Sequence, residues 1–464
     1  MNVNKPANKQ DDAQVKKPVK RPNIIVYFSD QQRWDTLGCY GQKLDVTPCL
    51  DKIAAEGVRF ENAFTCQPVC GPARASLQTG LYATETGCYR NGIALSPDAD
   101  TIAKRLGAAG YDTAYVGKWH LASGDSVNDG AGANDFQTVA VPPERRGGYK
   151  DYWMASDVLE FTSHGYNGYV HDGAGARVEF TGYRADCINN YAVDYIRNHD
   201  GDNPFFLFIS QIEPHHQNDH NRFEGPDGSK RRFRDYEIPG DLAGTSGDWR
   251  ENFPDYLGCC ASLDYNVGRL FDTLRDRGVA DETVFIYTSD HGSHFRTRND
   301  EYKRACHDGC VRIPMIARGP GFTGGNVIDR MVSLIDIPAT VLDCAGVGTP
   351  DGYRGRPLGK LAADPGMEWE DCVFIQISES QVGRCVRTPK WKYSVRADAD
   401  GWRERDARVY YEDFLYDLEA DPHERVNLIN DPDYADTRGR MAALLAQKML
   451  EAGEPTPEIL PHII

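Results

Sequence analysis

Apolar residues follow two patterns along this chain, short continuous runs and longer stretches with helical spacing, and the two patterns alternate. Continuous apolar runs are typical of parallel strands that are buried on both faces. They cover residues 23–28, 111–116, 204–212, 283–288 and 313–317. Helical spacing predicts helices at 48–58, 100–109, 256–277 and 337–344. The alternation predicts a doubly wound α/β sheet with helices on both of its faces.

The composition changes near residue 350, where Gly, Pro and charged residues dominate up to residue 368. Such a stretch is typical of a domain boundary. Beyond it, short apolar runs predict a small meander of strands, and helical spacing over 437–452 predicts a closing helix. We therefore divide the chain into a flexible polar tail at 1–22, a large α/β domain at 23–366 and a smaller α+β subdomain at 367–464.

Two long regions lack periodicity and are predicted as loops. Residues 124–182 are rich in Gly and Asp and carry aromatic side chains that can shape a pocket, namely Tyr149, Tyr152, Trp153, Tyr166 and Tyr169. Residues 218–250 are polar and contain a basic cluster, for which a solvated loop is favoured over a substrate contact. The cluster consists of Lys230, Arg231, Arg232 and Arg234.

The overall charge narrows the classes of function. Acidic residues outnumber basic ones in the 464 residues, and the net charge of −17 argues against a general nucleic-acid or membrane-surface binder. No apolar run approaches the roughly 18 residues of a membrane span. A local pocket for an anion is still compatible with this charge.

The cysteines and the N-terminal segment bear on the cellular compartment. Thirteen cysteines at irregular spacing do not indicate a disulfide framework and fit a reducing compartment. A zinc site is not indicated, because no pair of cysteines has C-x-x-C spacing. Residues 1–22 are polar and Lys-rich and lack the apolar segment of a secretory signal. We expect a cytoplasmic protein, or a periplasmic or secreted one if a leader has been removed.

The segment 65–80, TCQPVCGPARASLQTG, places a cysteine at the start of a predicted helix. Pro72 suits a first helical turn and Gly80 a helix end. Cys70 should therefore face free backbone N–H groups and the positive end of the helix dipole, with Arg74 one turn further in. Such a position binds anions. Taken alone, the spacing fits a buried structural cysteine beside a helix-starting proline equally well.

Polar and titratable residues recur where the apolar runs end. Ligands of open α/β sheets bind at the carboxyl ends of the strands, so these residues are candidates for one common site. Ligands for a divalent cation are offered by Asp30, Gln31, Asp290 and His291. Positive charge and titratable protons are offered by Lys118, His120, His215, Lys303 and His307. Each of these residues alone has an ordinary structural explanation.

The order of these motifs resembles that of the type I sulfatases, a family of the alkaline phosphatase superfamily. The matching motifs are the aspartate of the first strand end (Asp30), C-x-P-x-R (Cys70), G-K-W-H (Lys118), P-H (His215), D-H-G (Asp290) and a lysine before a short apolar strand (Lys303). The resemblance runs from residue 23 to about residue 428 and includes the segments 387–393 and 415–428. It implies an alkaline-phosphatase-like fold, with a mixed sheet flanked by helices, and the hydrolysis of sulfate monoesters.

The resemblance also implies a modified nucleophile and a metal ion. A formylglycine-generating enzyme would oxidise Cys70 to an aldehyde, whose hydrate attacks sulfur with one hydroxyl and later expels sulfate with the other. One divalent cation would be held by Asp30, Gln31, Cys70, Asp290 and His291. The hydrate and the sulfate would be held by Arg74, Lys118 and Lys303. His120 matches the base that breaks down the sulfated intermediate, and His215 matches the acid that protonates the leaving alcohol.

Two positions depart from the common sulfatase pattern. Gln31 stands where many members have a second aspartate, and His291 stands where many have an asparagine. Calcium is still the expected ion, but an imidazole suits a more borderline cation, so manganese is an alternative. Magnesium, a hard cation that suits the carboxylates, is a further one. The same pattern resembles the related phosphonate monoester and phosphodiester hydrolases, which are the alternative function. A non-catalytic polyanion-binding protein is a third hypothesis.

The shared motifs do not extend to the substrate. We expect a sulfated carbohydrate rather than a simple aryl sulfate, because aromatic and basic side chains between residues 149 and 234 can stack on and pair with a sulfated saccharide. No nucleic-acid or membrane partner is expected. The sugar, its ring position and the oligomeric state stay open.

Overall fold

The computed structural model of the protein describes residues 21–124 and 135–462. Most of the predicted tail at 1–22 and residues 125–134 of the first predicted loop region lie outside the described residues. Within them, the chain forms sixteen strands and twelve α-helices. The strands are β1 (Asn23–Asp30), β2 (Val58–Phe64), β3 (Asp112–Lys118), β4 (Tyr152–Ser156), β5 (Ser163–His164), β6 (Asn167–His171), β7 (Arg177–Thr181), β8 (Phe205–Pro214), β9 (Thr283–Ser289), β10 (Met315–Arg318), β11 (Asn326–Ser333), β12 (Val373–Ile377), β13 (Val382–Arg387), β14 (Trp391–Ala397), β15 (Val409–Asp417) and β16 (Glu458–Leu460). The helices are α1 (Pro48–Glu56), α2 (Cys70–Thr79), α3 (Ala83–Thr86), α4 (Ile102–Ala108), α5 (Leu159–Thr162), α6 (Arg184–Asn198), α7 (Ser229–Arg232), α8 (Trp249–Asp276), α9 (Asp308–Val311), α10 (Asp336–Cys344), α11 (Leu358–Ala363) and α12 (Ala435–Glu451).

Strands β1 to β11 form one large sheet in the order β11-β2-β10-β9-β1-β8-β3-β4-β6-β5, with β7 paired to β6. Its centre, β9-β1-β8-β3-β4, is parallel. Strand β10 is antiparallel to both of its neighbours, and β6 is antiparallel to β4, β5 and β7. The sheet is therefore mixed, as predicted.

Strand β1 shows why the centre of the sheet is apolar on both faces. Ile24, Val26 and Phe28 belong to one hydrophobic cluster, which also contains side chains of α2, α4 and α10. Ile25 and Tyr27 belong to a second cluster, which contains side chains of α1, α6 and α8. Because alternate side chains of a strand point to opposite faces, the two clusters are the two layers between sheet and helices. This confirms the predicted doubly wound arrangement.

The parallel centre brings four strand ends to the same edge of the sheet. Strand β1 ends at Asp30 and β3 at Lys118, whereas His215 directly follows β8 and Asp290 directly follows β9. Parallel neighbours have their carboxyl ends at one edge, so residues far apart in sequence meet there.

Strands β12 to β16 form a second, five-stranded sheet, on which α12 packs. The antiparallel meander β12-β13-β14-β15 and the closing helix confirm the predicted smaller α+β architecture. Strand β16, which is parallel to β15, was not predicted. The boundary between residues 366 and 367 stays a prediction.

The small sheet contacts the large domain close to helix α2. The backbone N–H of Gln376 donates to the carbonyl of Cys66 at 2.9 Å. His307, one of the candidate titratable residues, lies in this contact, with its Nε2 3.1 Å from the hydroxyl of Tyr416. His307 is therefore occupied in packing the two sheets together.

The two predicted loop regions differ from the structure. Residues 152–181 contain strands β4 to β7. Tyr149 and Trp153 are absent from the lining of the pocket that contains Cys70 and are buried against Tyr115, at ring-centroid distances of 4.9 and 5.3 Å. Helix α8 begins at Trp249, inside the second predicted loop region, because Trp249 and Phe253 are buried side chains among polar neighbours. Strands β2 and β11 were not predicted.

The cysteines, the basic cluster and the helices bear on the predictions from composition. All thirteen cysteines are free thiols. Lys230, Arg231, Arg232 and Arg234 are exposed, which agrees with a solvated cluster. Among residues 21–124 and 135–462, no helix combines the length and the apolar character needed to span a membrane.

Candidate active site

Helix α2 presents Cys70 as its first residue. The whole helix is buried, and Cys70 is only 2% exposed. Gly80, with φ 71°, ends the helix in the left-handed conformation, as predicted. The N–H of Gly71, which has no partner within the helix, donates to the side-chain oxygen of Asn91 at 2.9 Å. The helix thus starts at the carboxyl edge of the large sheet, beside the strand ends.

The sulfur of Cys70 contacts one cation, one imidazole and one carboxylate. Lys303 Nζ lies 2.8 Å from Sγ, His291 Nε2 lies 3.3 Å from it and Asp30 Oδ1 lies 3.5 Å from it. Burial raises the pKa of the thiol, and so does the charge of Asp30. Lys303, Lys118 and His291 outweigh both effects and bring the pKa to about 7. Position 70 therefore favours an anion, as the sequence predicted.

Asp30, Cys70, Asp290 and His291 form a compact buried group whose ligand atoms all lie within 4.8 Å of one another. Burial and the neighbouring Asp30 raise the pKa of Asp290 to about 7. Asp290 Oδ1 accepts the backbone N–H groups of Gln31 and His291, each at 2.9 Å. Asp290 Oδ2 is buried without a hydrogen bond. Two adjacent buried carboxylates with a spare oxygen are stabilised by a cation.

The donor atoms of this group fit a divalent cation. The Nδ1 of His291 donates to the carbonyl of Gly292 at 2.9 Å, which leaves the Nε2 lone pair on the side of the sulfur. Asp30 Oδ1 and Asp290 Oδ2 add two hard oxygens, of which Asp290 Oδ2 makes no hydrogen bond but lies 3.5 Å from a guanidinium nitrogen of Arg74. The structure therefore brings together four of the five predicted metal ligands.

Gln31, the fifth predicted ligand, is engaged elsewhere. Its side-chain nitrogen donates to Ser293 Oγ at 3.4 Å, and its side-chain oxygen lies 3.3 Å from Nδ1 of His216. Its backbone has φ 69°, which is strained for a residue with a side chain. The hydroxyl of Tyr256 donates to its carbonyl at 2.6 Å and holds this conformation. Gln31 lies next to the metal ligands, but its carboxamide is already hydrogen-bonded.

Arg74 and Lys118 both donate to Asp30 Oδ2, each at 2.9 Å. Against the effect of burial, Lys118 and Arg74 help to hold the pKa of Asp30 well below its usual range. Arg74 also donates to Ser210 Oγ at 2.6 Å, and Lys118 also donates to Glu160 Oε1 at 3.0 Å. Both cations are therefore fixed in place before any substrate binds.

His120 and His215 are neutral imidazoles. Burial and the charge of Lys118 lower the pKa of His120 to about 4, and burial lowers that of His215 well below its usual range. The Nδ1 of His215 donates to the carbonyl of His216 at 2.6 Å, so its Nε2, which lies 3.4 Å from Lys303 Nζ, carries the lone pair. The Nδ1 of His120 is buried without a hydrogen bond.

A pocket of about 370 Å³ opens onto this group. Four of the six predicted catalytic residues line it, namely Cys70, His120, His215 and Lys303. The other two, Arg74 and Lys118, are buried behind them against Asp30. Further walls of the pocket come from other segments and include Asn91, Glu160, Phe161, Arg296 and Tyr302.

Sequence reasoning missed Glu160, Asn91 and Ser210. Glu160 lies on the short helix α5 in a region without periodicity, and Asn91 lies in a loop, so no local signal marks either of them. Ser210 did leave a signal, because it is a hydroxyl that directly follows the apolar run of five residues at the start of β8. A buried polar residue in such a strand needs a partner, which here is Arg74.

Two family models match this chain. Residues 22–347 match the model described as Sulfatase. Residues 300–451 match the model described as N-sulphoglucosamine sulphohydrolase, C-terminal. Together they cover the large sheet and strands β12 to β15 of the small one.

Curated proteins resemble the chain over most of its length. It is 31% identical to the uncharacterized sulfatase YidJ of Escherichia coli K12, over 94% of this chain and 89% of that protein. It is 25% identical to an N-acetylglucosamine-6-O-sulfatase of Bacteroides thetaiotaomicron, over 95% of this chain and 88% of that protein.

Solved structures have the same fold. The putative sulfatase yidJ of Bacteroides fragilis superposes with a TM-score of 0.81 at 24% identity, over 96% of this chain and 98% of that one. A protein solved in complex with its substrate D-glucosamine-2-N,6-O-disulfate superposes with a TM-score of 0.74 at 24% identity, over 94% of this chain and 99% of that one. The phosphonate monoester hydrolase of Agrobacterium radiobacter superposes with a TM-score of 0.70 at 23% identity, over 93% of this chain and 96% of that one. These likenesses confirm the predicted fold class.

Proposed function

Because this chain belongs to the sulfatase family and is a sulfuric ester hydrolase, we propose that it removes sulfate from a sulfated carbohydrate, using a formylglycine at position 70 and one divalent cation. The observation that carries the proposal is the position of Cys70. Its sulfur lies 2.8 Å from Lys303 Nζ and within 4.8 Å of the ligand atoms of Asp30, Asp290 and His291. A nucleophile at this position would have a cation, a metal site and a pocket around it.

The proposed nucleophile is a hydroxyl of the aldehyde hydrate that a formylglycine-generating enzyme would create from Cys70. Lys303 is placed to donate a hydrogen bond to an oxygen at this position and to stabilise its negative charge. The start of α2 adds the positive end of the helix dipole. Both effects favour an ionised oxygen over a neutral one.

Asp30, Asp290 and His291 would hold the cation, which would supply Lewis-acid polarisation of the sulfate oxygens. Arg74 and Lys118 fix Asp30 by binding its Oδ2, so that Oδ1 is directed to the group at position 70. Calcium is the first candidate ion. The imidazole of His291 makes manganese an alternative, and the two carboxylates also suit magnesium.

The proposal assigns proton transfer to His215 and His120. His215 lines the pocket and would donate a proton to the leaving alcohol once a bound sulfate anion raises the pKa of its imidazole. His120 is neutral, because burial and Lys118 lower its pKa, and its unprotonated imidazole would accept a proton from the hydroxyl at position 70. The two histidines would act in successive steps.

The relatives support a carbohydrate substrate. One of them is named an N-acetylglucosamine-6-O-sulfatase, another an ulvan-active sulfatase. The aromatic residues that led to this expectation from the sequence no longer support it, because Tyr149 and Trp153 are core residues. Phe161, which lines the pocket and is 51% exposed, offers an apolar face on which a sugar ring can stack.

The alternative function is hydrolysis of phosphonate monoesters or phosphodiesters with the same nucleophile. A phosphonate monoester hydrolase shares the fold of this chain, with a TM-score of 0.70, so the fold is compatible with both activities. The two activities differ in the charge and size of the ester that the pocket accepts.

The proposed function is tested by comparing sulfate release from a panel of sulfated monosaccharides with hydrolysis of a phosphonate monoester and a phosphodiester. We expect a sulfated saccharide to have the highest kcat/KM. A higher value for the phosphonate or phosphodiester would favour the alternative. The mass of the peptide that contains residue 70 should show replacement of the thiol by the aldehyde, and a plain thiol without turnover of any ester would favour a polyanion-binding protein.

A further inference from the structure

Glu160 is a buried carboxylate in the pocket wall that none of the motifs includes. It lies on helix α5, is 6% exposed, and its Oε1 accepts the Lys118 ammonium at 3.0 Å. Its second oxygen, Oε2, is buried without a hydrogen bond. Such an oxygen is costly to leave unpaired, so its partner in the working enzyme needs to be found.

His120 offers the matching unpaired donor. It lines the same pocket as Glu160, and its Nδ1 is likewise buried without a hydrogen bond. The backbone conformation of His120 has φ 59°, so the ring direction is not that of an ordinary strand residue. Because its Nδ1 makes no hydrogen bond, that nitrogen does not fix the tautomer of the imidazole.

The segments that carry these two residues are fastened together. The N–H of His120 donates to the carbonyl of Asp157 at 2.7 Å. The carboxylate of Asp157 accepts three further N–H groups, those of Leu121 at 3.0 Å, Ala122 at 2.9 Å and Ser123 at 2.8 Å. Since Glu160 follows Asp157 by three residues, these bonds fix it relative to His120.

The charges around His120 distinguish Glu160 from other candidates. Burial and the positive charge of Lys118 lower the pKa of His120, and so does the charge of Arg74. The negative charges of Glu160 and Asp157 raise it. Asp157 has both oxygens occupied by backbone N–H groups. Glu160 is therefore the negative group near the ring that still has an oxygen to offer.

We propose that Glu160 is the positioning residue of His120, with Oε2 accepting the Nδ1 proton of the imidazole directly or through one water, while Oε1 holds Lys118. This places the lone pair of His120 on Nε2, toward the pocket. His215 and His291 have the same tautomer, with the proton on Nδ1 and the lone pair on Nε2, because each donates its Nδ1 proton to a backbone carbonyl. The inference rests on the proposed role of His120 as the base, but its central claim, the tautomer, is independent of activity.

The tautomer is measured by nitrogen NMR of protein labelled at histidine, with the His120 signals assigned by their loss in His120→Gln. In the wild type we expect a protonated Nδ1 and an unprotonated Nε2. Glu160→Leu removes the acceptor, so a substantial share of His120 should move its proton to Nε2. A wild-type ring protonated on Nε2, or a tautomer that Glu160→Leu leaves unchanged, would overturn the inference.

Glu454→Gln is the matched control for the general effect of losing a buried, paired carboxylate. Glu454 is 5% exposed and binds Arg384 at 2.7 Å, and it does not line the pocket. We expect this variant to lose thermal stability while keeping the His120 tautomer of the wild type. A tautomer change in Glu454→Gln as large as that in Glu160→Leu would contradict a local role of Glu160.

Kinetics supply a second readout. Glu160→Leu should lower kcat by roughly tenfold to a hundredfold, as expected for the partner of a functional imidazole, with a much smaller change in KM. Glu160→Gln, which keeps an acceptor oxygen, should retain more activity than Glu160→Leu. An active wild type with equal kcat in all three proteins would refute the positioning role and leave the proposed function standing. A wild type without sulfate release would refute the proposed function, and the NMR result would still decide the inference.

Discussion

The pocket combines two parts that are built in different ways. Its floor consists of Cys70 and Lys303, which line the pocket, and of the charged groups buried behind them at strand ends and on α2, namely Asp30, Arg74, Lys118, Asp290 and His291. Its wall consists of Asn91, Phe161, Arg296 and Tyr302, which come from segments that connect strands of the large sheet. The groups behind Cys70 are held by opposite charges or backbone groups, whereas Phe161 is half exposed. The sheet thus dictates where the chemistry happens, and the connecting segments dictate what can enter.

The largest effect should come from removing the nucleophile of the floor. Cys70→Ala leaves the buried helix α2 intact but has no group to attack sulfur, so we expect the rate of sulfate release to fall by roughly 10⁴-fold or more. Circular dichroism and thermal melting should stay close to those of the wild type. Turnover at the wild-type rate would show that position 70 is not the nucleophile.

Removal of a single floor cation should cost less than removal of the nucleophile. Lys303→Ala takes away the ammonium 2.8 Å from the group at position 70, and kcat should fall roughly 10²- to 10³-fold. The matched control is Lys230→Ala, because Lys230 is an exposed lysine outside the pocket. Equal losses in the two variants would mean that the position of the positive charge is irrelevant.

Chelation of the proposed cation should lower activity by roughly a hundredfold, and readdition of calcium, manganese or magnesium should restore it. Metal analysis of the protein as purified identifies the ion. Activity that survives exhaustive chelation, in protein shown to be metal-free, would contradict a metal in the floor.

The floor also predicts how metal-free protein responds to pH. Burial and Asp30 raise the pKa of Asp290 to about 7. Because the folded state holds this proton more tightly than the unfolded state, stability that is present at about pH 4 is lost as the pH rises toward about 7. Added cation should therefore raise Tm more at about pH 8 than at about pH 5. A shift of equal size at both pH values would argue that Asp290 does not bind the ion.

The smallest effect is expected in the wall. Phe161→Ala removes an apolar face at the pocket and should raise KM for a sulfated saccharide by roughly fivefold, with kcat nearly unchanged. Tyr265→Ala is the control, because Tyr265 is 61% exposed on α8 and does not line the pocket. A loss of kcat in Phe161→Ala would place this residue in the floor rather than in the wall.

Floor and wall also differ in how well they could be predicted from the sequence. Asp30, Lys118, His215 and Asp290 were found because each directly ends or follows an apolar run, and parallel strands align such ends. Gln31 was found in the same way, but its side chain turns to Ser293 and His216, which depends on contacts 185 to 262 residues away in sequence.

The wall was predicted poorly for a physical reason. Tyr149 and Trp153 were expected in the pocket, yet they pack in the core with Tyr115, because the stretch around them forms strand β4 at the side of the sheet. Glu160 escaped notice because a four-residue helix has no periodicity to detect. Its ion pair with Lys118 forms only once the chain has folded, because the two residues lie 42 positions apart in sequence.

The burial of Cys70 requires that the maturation proposed here takes place before the chain folds. In the folded protein the side chain is 2% exposed, and all of α2 is enclosed between the large sheet and its surroundings. An oxidising enzyme could not bind the segment around Cys70 once α2 has packed into the folded protein. The oxidation would have to take place on the nascent or unfolded chain, and a molecule that folded first would be trapped with an ordinary thiol.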